Sequence, residues 1–133
     1  MMAKFMMPYT AQTYAALRIL TGFLFLWHGS QKLFGFPALE MTREMPAFIT
    51  YGAGSIELVV GLLVMIGLFT RWAAFVGSGT MAAAYWMGHG LDAWLPLQNH
   101  GELAALFCFA FLFIAANGSG IWSVEGAAKT APE

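Results

Sequence analysis

The chain has 133 residues, 59% of them hydrophobic, with six basic and seven acidic side chains and a net charge of −1. Soluble proteins average about 45–50% apolar and about 25% charged, so this composition argues against a water-soluble globule and for one membrane domain. A charge near zero excludes the basic face that nucleic acid requires, and the single cysteine, Cys108, excludes an internal disulfide.

After a weakly charged start over Met1–Gln12, the first apolar stretch runs from Tyr14 to Phe36, with Pro37 behind it. It continues through His28, Gln31 and Lys32 without a small-residue cleavage site, which predicts a retained helix and not a signal peptide. On a helical wheel Arg18, Thr21, Phe25, His28 and Lys32 fall within an arc of about 80°. A polar stripe of that kind needs the bundle interior or water. For Lys32 and Arg18 the ordinary alternative is snorkelling, with the charged head in water and the stem along apolar surface.

Pro46 precedes the second stretch, Phe48–Phe69, in which Glu57 is the one charged residue of Ile49–Phe69. A run of about 20 apolar residues matches a hydrocarbon core roughly 30 Å thick. A carboxyl group near the middle of such a run is costly unless neutralised or paired. Thr50, Gly54, Glu57 and Gly61 share one face, and small residues there let helices approach closely, so Glu57 is predicted to point into a helix–helix seam. The ordinary reading of Glu57 is a protonated packing residue or a structural ion pair.

The third stretch covers 72–89 and offers a small-residue face in Ala73, Gly77, Thr80, Ala84 and Gly88. Its link to the second, Thr70–Arg71, is short enough to make the two antiparallel neighbours. Pro96 falls in the next connection. The fourth stretch, 101–117, is charge-free only over Leu103–Ala116, a shortfall that tilt and bilayer thinning absorb.

These elements predict an all-α polytopic membrane protein, one domain over 1–133 folded as a four-transmembrane-helix bundle. Lys4, Arg18, Arg71 and Lys129 fall on one side and Lys32 and Arg43 on the other, which puts both termini in the cytoplasm. Most of the five tryptophans fall near predicted span ends, where amphipathic rings sit at headgroup level. With that orientation the outward half of the bundle gathers His28, Lys32, Glu57, His89 and Glu102, with Trp86 or Trp27 nearby. Glu57 and His28 are the candidate proton relay; His28, Lys32, His89, Glu102 and Trp86 are the candidate lining of a quinone or small-ligand pocket. No metal is predicted, since neither H-x-x-x-H nor E-x-x-H occurs on one helix. Haem held by His28 and His89 is disfavoured, the pair being the one combination available on facing helices.

The chain resembles the DoxX family of small four-helix bacterial membrane proteins, from Arg18 to about Glu125. The resemblance rests on Arg18-x3-Gly22, then His28-Gly29-x2-Lys32-Leu33 with Gly35. It continues in Glu57-x3-Gly61, Gly67-Leu68-Phe69-Thr70-Arg71, Asn99-His100-Gly101-Glu102 and Gly118-x-Gly120-x2-Ser123-Val124-Glu125. It implies a bacterial inner-membrane protein and suggests a redox accessory protein or quinone-linked membrane subunit, since namesake relatives resemble a subunit of a thiosulfate:quinone oxidoreductase and other members are associated with redox-stress complexes or remain uncharacterised. It supplies no catalytic residues. The partner subunit such an enzyme needs is not part of this chain, and Cys108 alone offers no thiol couple. Three readings stay open: a quinone-linked oxidoreductase subunit, a non-enzymatic scaffold for a partner or a second copy, and a small permease. The absence of an inverted repeat disfavours the third.

Overall fold

Every backbone N–H and C=O needs a partner within its own segment when water is excluded, and helices meet that demand. The computed structural model describes residues 2–39 and 44–130, and all regular structure among them is helical. A 3₁₀ stretch, Met2–Tyr9, leads into α1 (Thr10–Phe34). Helix α2 covers Phe48–Ile66, opening with a π-helical turn, Phe48–Ala53, and becoming α-helical from Gly54. Then come α3 (Thr70–Gly88), a single turn α4 (Pro96–Asn99), α5 (Glu102–Asn117) and α6 (Val124–Thr130). Arg43, counted above in the charge balance, lies outside the described residues.

Glycines set two of the boundaries. Gly35 adopts φ 65° and bonds back to the Gln31 carbonyl, and Gly67 adopts φ 72° and bonds to Leu63 and Val64. Left-handed glycines of this kind close helices without a Cβ penalty. They stop α1 and α2 short of the predicted Phe36 and Phe69. Helices α4 and α6 are additions to the predicted order.

α1 packs along α2, α3 packs along α5, and α2 against α3 joins the two pairs. The α1–α2 seam is narrow because glycines alternate across it. A Cβ on Gly22 or Gly29 would come closer than 3.0 Å to backbone atoms of α2, and one on Gly61 would meet the backbone of Leu26. Gly22 faces Gly61, and Gly29 faces Gly54, so the spacing of the two glycine pairs fixes the register. On α3 the buried stripe is Ala73, Ala74, Gly77, Ser78 and Met81. Thr80 and Ala84 are half-buried and Gly88 is exposed, so the predicted small-residue face is rotated toward Ser78 and Met81. The shift follows from α5: Gly77 sits against Phe111, and Ser78 donates to the Cys108 carbonyl at 2.8 Å.

Phe25, Val60, Val64, Phe107, Phe111 and Ile114 fill the centre. The outside is also apolar, with Leu20, Leu24, Val59, Leu62, Phe75 and Phe109 exposed on the long helices. Apolar surface on that scale calls for a non-aqueous surround. By length and apolar composition, Phe48–Ile66 is the helix among the described residues sufficient to cross a membrane. Helix α5 is apolar but shorter; α1 and α3 are long enough, but polar and small residues dilute their apolar character.

A bulky side chain at Gly29 has no room unless the two backbones separate. Gly29→Leu is expected to cost about 1–3 kcal/mol by overpacking, seen as a lower unfolding midpoint in detergent, whereas Gly79→Leu, at a position with open space, leaves the midpoint unchanged.

Candidate functional site

Glu57 sits midway along Phe48–Ile66. The narrow seam turns it toward α1, where Lys32 occupies the last turn. Lys32 Nζ donates to Glu57 Oε2 at 2.6 Å, and the two side chains are 15% and 4% exposed. Helical side chains lean toward the N-terminus of their own helix, so Lys32 reaches back from the end of α1 to the level of Glu57. Gly54 makes the path possible: a Cβ there would lie 3.0 Å from Lys32 Cβ. The pair is thus cradled by the same glycine that sets the register. A cation in the last turn of α1 also meets the negative end of that helix's dipole.

Taking both charges out of water is costly, and their attraction offsets the cost only when geometry and further hydrogen bonds are good. A carboxylate can accept about four hydrogen bonds. Among the described residues Lys32 is the one side-chain donor to Glu57. Acceptor capacity is left over.

His28 lies one turn before Lys32 on α1, on the same face, and its ring meets Phe107 of α5 edge-on at 5.9 Å between centroids. The other candidates gather elsewhere. His89 Nδ1 lies 3.0 Å from the Asn99 carbonyl, Trp86 stands edge-on to Tyr85, and Glu102 is exposed at the start of α5. Among the described residues no hydrogen bond or ring contact links these three to Lys32, Glu57 or His28. The centre of the α3–α5 connection is Asn99, buried, whose amide donates to Tyr85 Oη and the Ala93 carbonyl while its oxygen accepts from Gly101 N. The Asn99-His100-Gly101-Glu102 motif therefore ties the connection together. Among the described residues no group of three His, Cys, Asp or Glu is placed to hold a metal ion.

Sequence reasoning missed the opposite end of the molecule. Arg18, offered above as a snorkelling cation, is 0% exposed. Its guanidinium donates to the carbonyls of Val64 and Met65 at the end of α2, and to Ile121 and Trp122 in the strap after α5. Arg71 does the same for Ala115 and Ala116 at the end of α5. Glu125 accepts from the Thr70 N–H at the start of α3. Charged groups at this end complete helix termini, each sign facing the dipole end that suits it. The available signal was the position of Arg18 on the same polar stripe as His28 and Lys32.

Residues 13–90, more than half of the chain, match the DoxX family. The chain belongs to that family. The DoxX match spans α1 to α3 and so contains both members of the ion pair. An uncharacterized protein of Haemophilus influenzae is 38% identical over 117 residues, covering 84% of this chain and 87% of its own length. A Bacillus subtilis protein named "Putative oxidoreductase CatD" is 30% identical over 115 residues, covering 82% of this chain and 81% of its own. No solved structure matches. Membership of DoxX, with the apolar exterior, makes this a membrane protein that associates with the lipid bilayer.

Removing one partner of the pair strands the other. Glu57→Gln leaves Lys32 buried without a counter-charge and is expected to cost about 3–5 kcal/mol, while Lys32→Met with Glu57→Leu restores most of that loss. Unfolding of the purified variants in a mixed-detergent titration checks it; equal losses in the single and double variants would contradict it.

Proposed function

We propose that this DoxX protein is a four-span protein of the bacterial inner membrane, one domain over 1–133, serving as the quinone-linked subunit of a redox complex. The Lys32–Glu57 pair, sheltered in an apolar seam with acceptor capacity left on the carboxylate, carries the reading. Intramembrane ionisable groups are costly and mark sites of function by default. The name of the Bacillus subtilis relative supports a redox role. Reduction of a quinone to a quinol takes up electrons and protons in equal number. A partner subunit supplies the electrons, since Cys108 stands alone among the described residues. Lys32 donates a hydrogen bond to a quinone carbonyl, and Glu57 passes a proton with His28 as the next relay. His89, Glu102 and Trp86, around the α3–α5 connection, line the water-facing rim of the pocket.

Four spans fit the packing of α1, α2, α3 and α5 with apolar outer faces, the shorter α5 tilting or thinning the bilayer. Arg18, Arg71 and Lys129 lie toward the end that holds both termini, which favours that end in the cytoplasm. Lys32, inside the pair, adds little to the opposite loop count. Reporter fusions after Thr130 are expected to be active on the cytoplasmic side and fusions after Gln98 on the periplasmic side; the reverse pattern overturns the orientation.

One observation favours a second reading, a non-enzymatic scaffold: Arg18, Arg71 and Asn99 all complete backbone, and an ion pair can serve to fix helix register. A mass spectrum of the lipid extract, with an absorbance spectrum, of detergent-purified protein separates the two. Co-purified quinone, reduced in Glu57→Gln, is expected for the redox subunit. Extracts without quinone, together with no binding on titration, would leave the scaffold, whose partner a native-membrane pull-down then identifies.

A further inference from the structure

α1 and α5 belong to different helix pairs and touch sparingly. Their contacts begin at Tyr14, whose hydroxyl meets the Ile114 and Gly118 carbonyls, and continue through Phe25 against Phe107 and Phe111. His28 against Phe107 is the last ring contact in this series. One turn further along α5, Leu103 is exposed.

His28 is out of keeping with its neighbours. Phe25 and Gly29 are buried, whereas His28 is exposed, and among the described residues neither ring nitrogen has a hydrogen-bond partner. It lies between Gly22 and Gly29, one turn before Lys32, on the stretch of α1 packed along α2, at the depth of the middle of α2. An unpartnered imidazole at that depth is costly in hydrocarbon.

We infer that the α1–α5 seam beside Phe107 is a lateral binding site, in which His28 bonds the polar head of a bilayer-dissolved ligand that reaches the Lys32–Glu57 pair along the same face of α1. This rests on the quinone reading above and specifies where the ligand sits. The ligand class is that of the quinone reading: a flat, carbonyl-bearing head bonded by His28 at the mouth of the seam, with the buried Phe107 ring behind the imidazole, and an apolar tail left among exposed side chains such as Leu103 and Leu106. Phe107 is a positioning residue. The site opens to lipid and not to the water-facing rim, where His89 is engaged by Asn99.

The test uses the full chain in lipid nanodiscs, titrated with decylubiquinone and followed by quenching of tryptophan fluorescence, Trp27 being adjacent to His28. His28→Leu is expected to weaken binding about tenfold, the equivalent of one lost hydrogen bond, with an unchanged unfolding midpoint because His28 makes no bond within the described chain. Gly79→Leu, at a position with open space on α3, is expected to bind as the parent does. Leu103→Trp, at an exposed position beside the seam, is expected to obstruct the tail and weaken binding as well. Should the parent bind while His28→Leu and Leu103→Trp bind equally well, or Gly79→Leu weaken binding as much as they do, the lateral site is wrong and the quinone reading stands. A parent protein with no affinity for decylubiquinone removes both.

Discussion

The fold depends on how closely two helix backbones approach. Gly22, Gly29, Gly54 and Gly61 remove the side chains that would keep α1 and α2 apart. Dispersion between packed backbones replaces the hydrophobic drive that lipid does not provide. The approach also has a chemical consequence. It brings Glu57 within 2.6 Å of an ammonium group carried by the neighbouring helix, in a space too small for either charge to keep a hydration shell. A side chain at position 54 would crowd Lys32 at its Cβ. Packing and polarity are one arrangement at this position.

The two ends of the molecule use charge differently. At the end that carries both termini, Arg18, Arg71 and Glu125 bond backbone groups that helix ends leave open. Their partners are carbonyls and an N–H, fixed in place by the helices themselves, so these charges stabilise geometry. In the middle of α2 the charge is matched by a side chain whose position is adjustable, and the carboxylate keeps unused acceptor sites. A group with fixed backbone partners has little left to offer a substrate. A carboxylate with one flexible partner has more, which is why the site is placed at Glu57 and not at the more deeply buried Arg18.

Much of this was visible in the chain before any coordinates. Glu57 stood out because a single acid in an apolar run has no ordinary explanation, and Lys32 because the stripe it shares with His28 cannot face lipid. Arg18 lay on the same stripe, and of its two readings, interior or snorkelling, the interior one holds. Its acceptors are main-chain carbonyls, which have no residue-type signature, and two of them belong to a strap more than one hundred residues away. The glycine face of α2 was legible, but its counterpart at Gly22 and Gly29 was noticed only as part of a motif. A seam is a property of two helices, and register is absent from either sequence taken singly. The Asn99-His100-Gly101-Glu102 run was legible as unusual and its role was not. Asn99 acts on Tyr85, Ala93 and Gly101, contacts set by the path of a connection and not by a helical period.

The bonded clusters of the bundle favour the lateral site proposed above over one reached through the α3–α5 connection. A water-facing route to Glu57 by way of the α3–α5 connection would have to pass buried Asn99, which draws Tyr85, Ala93, Gly101 and His89 into one bonded cluster. Opening that cluster would break several hydrogen bonds together. The α1–α5 seam closes through ring contacts and the Tyr14 hydroxyl, and the hydroxyl acts near the far end, at Ile114 and Gly118. Beside His28 the closing contact is one edge-on ring. Such a contact yields to an aromatic head that replaces it with a similar one, at little net cost. On this proposal the helix pairing that holds the ion pair tightly also leaves one side of it approachable from lipid.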